Sequence, residues 1–376
     1  MIRYIFVFSV VALFGNPLAM AQDVRTYSNE FLSLGIGARA LGMGNVQGAL
    51  ANDVTAAYWN PAGLTRIDNF QLGYMHAEWF AGIAKYDYLG LALPIADKKR
   101  ALGLSVLRFG VDNIPNTLNI IEPDGSINYD NITAFSAADY AFLLSYAQSI
   151  GKVRIGANAK IIHRIVGSFA KSWGLGLDVA AQYDVSSRLS LGLTLKDFPV
   201  TYNTWGFSFT DEEKQLLALT DNVIPVNSVE LTGQRSILAL SYRQPLGAKM
   251  NITAALDLDV TFDGKRNTLI KTDIFSIDPH LGLEFDYNKI VFLRAGFNNV
   301  QTISDDLTGD DALSIQPNVG VGFRLSDKKN HRIPEIKLDY AFTGLNRSSE
   351  GIYSHVVSLI VGLSKKKTPA PDTSHL

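Results

Sequence analysis

Cysteine is absent from the 376 residues of this chain, so a disulfide framework, a thiolate metal site and a cysteine nucleophile are excluded. An excess of charge of one sign is also missing. The formal net charge is -2, which gives no electrostatic basis for binding nucleic acid. Beyond the N-terminal region, no uninterrupted apolar run reaches the roughly 20 residues that a membrane-spanning helix needs. A helical membrane protein is therefore disfavoured.

Motifs that carry catalysis are scarce as well. The six histidines form no HExxH or other close metal-binding pair, and there is no GxSxG nucleophile elbow. The glycine pairs Gly35/Gly37 and Gly42/Gly44 lack the preceding strand and the Lys-Ser/Thr ending of a phosphate-binding loop. We therefore predict no catalytic residue, no metal and no cofactor, and an outer-membrane enzyme is the least favoured function.

The first 21 residues have the pattern of a Sec-type signal peptide. Arg3 supplies a positive charge, residues 4–14 form an apolar segment, and Ala19 and Ala21 place small side chains at a cleavage site. The alternative, a single transmembrane anchor, is disfavoured because the apolar segment is too short to span a bilayer. The pattern predicts an exported protein whose mature chain starts at Gln22.

From residue 69 onward, segments of about ten residues alternate between apolar and polar or small side chains. In 173–183 every odd position is apolar, and in 189–196 every odd position is leucine. Successive side chains of a strand point to opposite faces, so each segment has one apolar and one polar face. A soluble β-sandwich also alternates, but its strands are usually nearer about five or six residues. The segment length, a polar face rich in Gly, Ser and Ala, and turns of alternating length favour a transmembrane barrel.

The pattern predicts an all-β fold, a 14-stranded antiparallel transmembrane β-barrel. The predicted strands are 69–79, 86–96, 100–110, 139–149, 152–163, 172–184, 188–197, 235–244, 249–261, 279–287, 289–298, 314–326, 334–344 and 355–364. Connections after odd-numbered strands are the longer ones, as in 111–138, 198–234, 262–278 and 299–313. Bacterial barrels have short periplasmic turns and long extracellular loops, so both ends of the barrel are expected on the periplasmic side.

These patterns divide the chain into four parts. Residues 1–21 are the signal peptide. Residues 22–68, rich in Gly, Ala and Asn, are an N-terminal periplasmic plug or hatch, with short helices expected near Ala38 and Val54. Residues 69–364 are the transmembrane barrel, and residues 365–376 are a disordered periplasmic tail. Because the hatch precedes the first strand, it is expected on the periplasmic side or inside the barrel.

Twelve charged residues fall on the predicted inner face of the strands. Charge at lipid depth costs several kcal/mol, so these side chains are expected to face the lumen. One interpretation is a structural network that holds the hatch, because buried charges are paired when they occur. The other is a polar path or a ligand-contacting wall. The residues are Arg154, Lys160, Asp178, Lys196, Arg243, Asp257, Asp259, Glu284, Arg294, Arg324, Lys337 and Asp339.

The connection 198–234 is the loop of greatest functional interest. It places Trp205, Phe207 and Phe209 before an acidic stretch that is expected to begin a short helix at Asp211. A self-packed loop or an aromatic belt at the membrane interface is one interpretation. The other is a surface outside the cell that docks a partner, because exposed apolar clusters on long loops often bind.

The stretch 29–64 resembles the N-terminal signature of the PorV/PorQ family of outer-membrane proteins. The resemblance rests on Gly37 to Ala40, Gly42 to Gly44, Ala51, Asp53 and Trp59 to Ala62. The Asn60-Pro61-Ala62 element is also similar to the hatch of FadL-type long-chain fatty-acid transporters. Glycines permit close approach to the barrel wall, and Asn60 before a proline starts a turn. Arg39 and Asp53 are then candidate anchors to oppositely charged lumen residues.

The resemblance implies one of two functions in the outer membrane of a Gram-negative cell. The PorV/PorQ type implies an accessory component of type IX secretion that contacts the translocon barrel or secreted surface proteins. The FadL type implies transport of fatty acids or other hydrophobic compounds through the hatch. The charged lumen favours the first, because a hydrophobic compound needs a continuous apolar channel. In either case outer-membrane lipid surrounds the barrel, and no nucleic acid is involved.

Overall fold

The computed structural model describes residues 28–120, 122, 125–219, 223–304, 311–326, 334–344 and 353–363. The predicted signal peptide and C-terminal tail lie outside these residues. Among the described residues, no helix is long and apolar enough to cross a membrane. The strands are β1 (Phe70–Trp79), β2 (Ala84–Ile95), β3 (Arg100–Asn116), β4 (Thr133–Ile150), β5 (Val153–Val166), β6 (Ala170–Asp184), β7 (Leu189–Phe207), β8 (Ser228–Leu246), β9 (Met250–Thr261), β10 (Ile270–Lys271), β11 (Ser276–Tyr287), β12 (Val291–Ser304), β13 (Asp311–Leu325), β14 (Glu335–Gly344) and β15 (Tyr353–Leu363).

Fourteen of these strands close into a single antiparallel barrel. Each pairs with its neighbour in the chain, and β1 pairs with β15, with Phe70 opposite Leu363. The two-residue β10 pairs only with β11, and β9 pairs with β11 directly, with Leu256 opposite Leu281. Among the described residues, closure gives each of the 14 barrel strands a partner on both sides. The prediction of a 14-stranded antiparallel barrel is confirmed.

Several strands are longer than the alternation predicted, and the predicted limits are wrong there. β7 continues to Phe207 instead of ending at 197, and β8 begins at Ser228 instead of 235. The register shifts between Lys196 and Val200, where Asp197 has a φ of 57°. Opposite β6, residues 196–201 of β7 face only residues 176–178, and the three extra residues, an odd number, exchange the two faces of β7 beyond the bulge. The period-two pattern therefore breaks at the bulge although the strand continues.

The longer strands also shorten the predicted loops. The four long connections become 117–132, 208–227, 262–275 and 305–310, the last of which lies outside the described residues. The connections after β1 and β5 are short turns, 80–83 and 167–169. Loop length therefore alternates less regularly around the barrel than the sequence predicted.

The two faces of the wall differ as the alternation requires. The outward side chains of Leu144, Trp173 and Leu175 are 61%, 59% and 64% exposed, whereas Ser145 and Asp178 point inward and are buried. An apolar exterior over strands that pair on both sides is the surface that a hydrocarbon environment accommodates. The barrel wall is therefore apolar outside and polar inside.

Residues 28–68, called the hatch below, occupy the lumen. They form 3₁₀ turns at Glu30–Ser33 and Pro61–Arg66 and two short helices, α1 (Ala38–Leu41) and α2 (Ala56–Trp59). Ile36, Val54 and Leu64 of the hatch are fully buried against inward side chains such as Met75 and Tyr86. Burying an aliphatic side chain of this size contributes about 1.5–3 kcal/mol. The hydrophobic core thus lies between the hatch and the wall.

Two further short helical segments lie in the connections at the long-loop end. The β3–β4 connection contains a 3₁₀ turn at Tyr129–Asn131, and the β7–β8 connection contains α3 (Asp211–Leu219).

Candidate functional site

The glycines of the hatch bring its backbone against the backbone of the wall. Gly44 has a φ of 68°, and a Cβ built there would lie 2.6 Å from the carbonyl oxygen of Phe297. A Cβ on Gly42 would lie 3.0 Å from the Cα of Gly320, and one on Gly296 would lie 2.3 Å from the carbonyl carbon of Met43. A side chain at any of these glycines would collide with the backbone opposite, so glycine is required at Gly42, Gly44 and Gly296. The Gly42-Met43-Gly44 element is therefore a docking contact between the hatch and the wall.

Asn60, Pro61 and Ala62 form a second docking element on the opposite side of the lumen. Asn60 is extended and fully buried, and its Nδ2 donates to the carbonyl oxygens of Gly48 (2.8 Å) and Ala181 (3.1 Å). Its Oδ1 accepts from the backbone N–H of Ala62 (3.2 Å), which begins the 3₁₀ turn at Pro61. A buried side-chain amide needs partners for both its N–H donors and its oxygen acceptor. By making these hydrogen bonds, Asn60 joins two hatch segments to the wall.

Arg39 begins a chain of ion pairs that crosses from the hatch into the wall. Its Nε and Nη2 donate to the two carboxylate oxygens of Glu284 on β11, at 3.0 and 3.1 Å. Glu284 also accepts from Arg294 Nε (2.7 Å), and Arg294 Nη1 donates to Asp339 (2.6 Å). The three wall residues are each less than one-tenth exposed. Bidentate guanidinium–carboxylate pairs are the stronger and more directional ion pairs.

Asp53 anchors the hatch on the neighbouring side. Its carboxylate lies 3.8 Å from Lys337 Nζ on β14 and accepts from the backbone N–H of Thr55 (3.0 Å). Burial on its own would raise the pKa of Asp53, but the charges of Lys337 and Arg39 and the hydrogen bonds from Thr55 lower it. Asp53 is therefore held in its charged form next to α2.

Residues 44–48 of the hatch are held by hydrogen bonds from β9 and β11. Asp257 accepts from the backbone N–H groups of Gln47 (2.9 Å) and Gly48 (2.8 Å). His280 Nδ1 lies 3.0 Å from the carbonyl oxygen of Gly44. These contacts satisfy backbone groups of a hatch segment that has no regular secondary structure of its own.

On the β5–β7 side, buried lysines face the hatch aromatics. Lys160 pairs with Asp178 (2.7 Å) and also with Asp197 at the bulge of β7. Lys196 places its Nζ 3.9 Å from the ring centroid of Tyr58, a cation–π contact. Because Lys160 and Lys196 are only 4% and 5% exposed, this side of the lumen is closed by packed polar and aromatic groups.

The remaining predicted lumen charges also lie on the inner side and are paired. Arg154 shares Asp184 with Arg66 of the hatch, at 2.6 and 2.7 Å. The other pairs are Asp259 with Arg235 (3.5 Å), Arg243 with Asp286 (3.5 Å), and Arg324 with Glu335 (2.8 Å). All twelve predicted residues therefore border the lumen, and they form several separate clusters around the hatch.

Sequence reasoning missed partners of these charges, for different reasons. Asp184 and Asp286 stand on the lumen parity of their predicted strands, as does Arg235, so alternation alone could have found all three. Asp197 was hidden because the bulge changes the parity of β7. Arg66 lies in the hatch, where no periodicity indicates which way a side chain points.

The aromatic cluster at 205–209 differs from the predicted exposed loop. Trp205 lies within β7, is 8% exposed and sits under the guanidinium of Arg164, 5.1 Å from its ring centroid. Phe207 is the last residue of β7, and only Phe209 lies in the connection. The bulge at Asp197 moves odd positions to the inner face, which turns Trp205 inward. The prediction that these residues lie in the connection 198–234 is therefore wrong for Trp205 and Phe207, and Phe209 does lie in the connection.

Phe207 and Phe209 still border an open surface at the long-loop end. Their rings stack 6.3 Å apart with 6° between the planes, and Phe209 also stacks on Phe169 at 5.7 Å. With Phe135 they line a mainly apolar cavity of about 730 Å³, called the aromatic groove below. The groove lies between the ends of β3–β8, outside the lumen charges.

Two polar cavities lie on either side of the hatch. The short-turn vestibule, about 320 Å³, opens where turns 185–188 and 288–290 reverse the chain. The outer vestibule, about 560 Å³, opens toward the long loop 262–275. Hatch residues separate the two, since Asn52 and Asp53 line the first whereas Ser33 and Leu34 line the second. No group of His, Asp and Glu among the described residues could hold a metal ion.

Comparison with known proteins defines the fold of the chain. No protein-family model matches it, and no curated protein matches it in sequence. Among solved structures, it is similar to the CymD monoaromatic hydrocarbon channel (TM-score 0.55, 12% identity, 88% of this chain and 98% of that chain). It is also similar to the toluene transporter TbuX of Ralstonia pickettii (TM-score 0.52, 11% identity, 88% and 99%). A third similar structure is the toluene transporter TodX of Pseudomonas putida (TM-score 0.51, 14% identity, 87% and 97%).

These identities are low, so the similarity shows the fold alone. The matches cover nearly the whole of each of the three structures. The chain therefore shares the barrel fold of these solved structures, and in it a closed 14-stranded antiparallel wall surrounds the hatch.

Proposed function

We propose that this protein is an outer-membrane barrel of the PorV/PorQ type that acts as an accessory, partner-binding component of type IX secretion or surface attachment. The observation that carries the proposal is the fixed hatch. Arg39, Gly44, Asp53 and Asn60 each bind a different part of the wall, and both vestibules are lined by polar groups. Because the hatch fills the lumen, the protein acts through the surfaces that it presents to partners. The motif at 29–64 supports the PorV/PorQ type.

The aromatic groove is the surface best suited to a protein partner. Phe207, Phe209 and Phe169 offer stacked aromatic rings at the long-loop end, which faces outward if the short turns are periplasmic. Aromatic residues in a partly open depression supply much of the binding energy at protein interfaces. The three comparison structures are described as channels or transporters, which also fits a role other than catalysis.

Co-purification from native membranes tests this function. A tagged full-length protein is expected to retain a large translocon barrel or secreted surface proteins, identified by mass spectrometry. The double variant Phe207→Ala/Phe209→Ala is expected to lose most of this material. Tyr129→Ala is the matched control, because Tyr129 is 70% exposed on a different connection at the same end. Retention of the same partners by the groove variant would exclude the groove as the docking surface.

A second function, transport of hydrophobic compounds, is favoured by one specific observation. The aromatic groove is mainly apolar and about 730 Å³ in volume, which suits an acyl chain or an aromatic hydrocarbon. Proteins of the same fold are described as a monoaromatic hydrocarbon channel and toluene transporters. Extraction of the purified barrel for lipid analysis separates the two functions. Tightly bound fatty acid, with no retained protein partner, would replace the secretion role with transport.

A further inference from the structure

The short-turn vestibule has an unusual charge balance. Eight cationic side chains and four carboxylates line it. Asp184 and Glu335 pair with lining residues from just outside, and Arg154 shares Asp184 with Arg66. With these three included, nine cations face six carboxylates. The cavity therefore keeps a positive excess after its own ion pairs are formed.

The outer vestibule of the same barrel shows that this excess is local. Three Lys and Arg side chains, Arg235, Lys265 and Arg266, line it together with His280 and three carboxylates, Glu30, Asp259 and Asp278. Counted in the same way, Asp263 and Asp273 pair with lining residues from just outside, so the carboxylates are not outnumbered. The whole chain carries a formal net charge of -2. A positive cavity at one end of a slightly acidic protein therefore reflects how particular cations are placed, since overall composition would favour the opposite sign.

The excess is concentrated at the mouth of the short-turn vestibule. Deep in the cavity, Arg39 and Arg294 are neutralised by Glu284 and Asp339. At the mouth, Arg188 and Lys289 are exposed, and among the described residues neither has a carboxylate within 4.0 Å.

Two further cations at the mouth adjoin these. Arg243 is half-exposed, and its closest carboxylate, Asp286, is 3.5 Å away. Arg324 is partly exposed and is paired with Glu335.

The backbone fixes these cations in two pairs. The N–H of Arg243 donates to the carbonyl oxygen of Arg188 (2.8 Å), which joins the β6–β7 turn to β8. The N–H of Arg324 donates to the carbonyl oxygen of Ile290 (2.8 Å), the residue after Lys289. Arg188 and Lys289 therefore lie in turns that are hydrogen-bonded to, or directly precede a residue hydrogen-bonded to, a neighbouring strand, and all four cations line one concave opening.

We propose that the short-turn vestibule is a binding site for a multiply charged oxyanion, such as a phosphate ester, a pyrophosphate or a polycarboxylate. Guanidinium groups bind planar or tetrahedral oxyanions through paired N–H donors, and a second cation across the opening favours a ligand with more than one charge. A concave, low-dielectric wall strengthens the local potential. Because the mouth opens inside the ring of strands, the ligand comes from the aqueous compartment and is not a lipid headgroup.

Titration calorimetry with sodium pyrophosphate tests the site on the mature full-length barrel. The measurement is made in phosphatidylcholine nanodiscs at constant ionic strength. We expect saturable binding with one site per barrel. The variant Arg188→Gln/Lys289→Gln is expected to weaken it at least tenfold, because both unpaired cations are lost. Lys152→Gln is the matched control, an exposed lysine in a turn at the same end that does not line the cavity. Its affinity is expected to equal that of the wild type.

Three results would overturn the proposal. The first is the absence of saturable pyrophosphate binding to the wild type. The second is an equal loss in Lys152→Gln, which would indicate diffuse surface charge in place of a built site. The third comes from nanodiscs that contain phosphatidylglycerol. If that lipid competes with pyrophosphate, the cavity faces anionic headgroups and the assignment to a soluble ligand is wrong. Both substituted cations are exposed, so retained heat-modifiable migration on gels checks that the variant is folded.

Discussion

Arg39 of the hatch and Glu284 of β11 form a two-point ion pair, with Nε and Nη2 donating to separate carboxylate oxygens at 3.0 and 3.1 Å. The two residues are 245 positions apart in sequence. Glu284 also holds Arg294, which in turn holds Asp339. Through these contacts, the pair joins helix α1 of the hatch to β11, β12 and β14 of the wall. The pair is therefore one of the contacts that hold the hatch in the lumen.

Removal of either partner is expected to loosen the hatch. Arg39→Gln should reduce the free energy of unfolding by about 1–3 kcal/mol, because Glu284 keeps Arg294 as a partner. Glu284→Gln should cost about 3–5 kcal/mol, since the buried Arg294 and the partly buried Arg39 lose their shared carboxylate. Denaturant unfolding of the refolded barrel in detergent measures both, and the double variant gives the coupling. Strictly additive losses would mean that the pair contributes nothing of its own.

Gly44→Ala is expected to displace the hatch from β11 and β12. A methyl group there meets the carbonyl oxygen of Phe297 at 2.6 Å, a backbone atom that cannot move aside. Gly247→Ala is the matched control, because Gly247 has a φ of 78° and nothing within 4 Å of its built Cβ. The control should cost only the roughly 1–2 kcal/mol of a left-handed residue, and Gly44→Ala at least about 2 kcal/mol more. An equal loss of stability in the two variants would indicate that Gly44 lies farther from the backbone of β12 than the structure shows.

Asn60→Ala is expected to destabilise the barrel by about 2–4 kcal/mol. The substitution leaves the buried carbonyl oxygens of Gly48 and Ala181 and the N–H of Ala62 without this partner. Asn267→Ala serves as the control, because Asn267 is exposed in a loop and should leave stability unchanged. Thermal unfolding followed by circular dichroism compares them. A small effect at Asn60 would mean that water replaces the amide.

The barrel could be predicted from the sequence because the two-residue alternation of a strand is visible in short stretches of neighbouring residues. Alternation at 173–183 requires only neighbouring residues, and it placed Asp178 in the lumen and Trp173 outside, as the structure has them. The same rule failed where backbone geometry changes. At Asp197 the bulge exchanges the two faces, so Trp205 moved from a predicted loop to a buried position in β7. The two-residue alternation does not indicate where extra residues are inserted into a strand.

The contacts of the hatch were only partly predictable. Charge placement suggested Arg39 and Asp53 as anchors, and the structure sets them beside Glu284 and Lys337. Which carboxylate meets which cation depends on the register of strands far apart in sequence, and alternation does not fix that register. The cation–π contact between Lys196 and Tyr58 was not foreseen for the same reason. Because the hatch sequence has no periodic pattern, it does not predict which way each of its side chains points.

The acid response of the barrel should report on Asp53. Its pKa is lower in the folded protein than its ordinary value, so its contribution to stability is complete above about pH 4 and is lost as pH falls through the folded pKa. Asp53→Asn removes this charge without changing the size of the side chain. The stability difference between wild type and Asp53→Asn is therefore expected to stay constant from pH 7 to about pH 5 and to shrink below about pH 4. Thermal unfolding across this range measures it. A difference that persists at the lowest pH would mean that the contribution of Asp53 does not come from its charge.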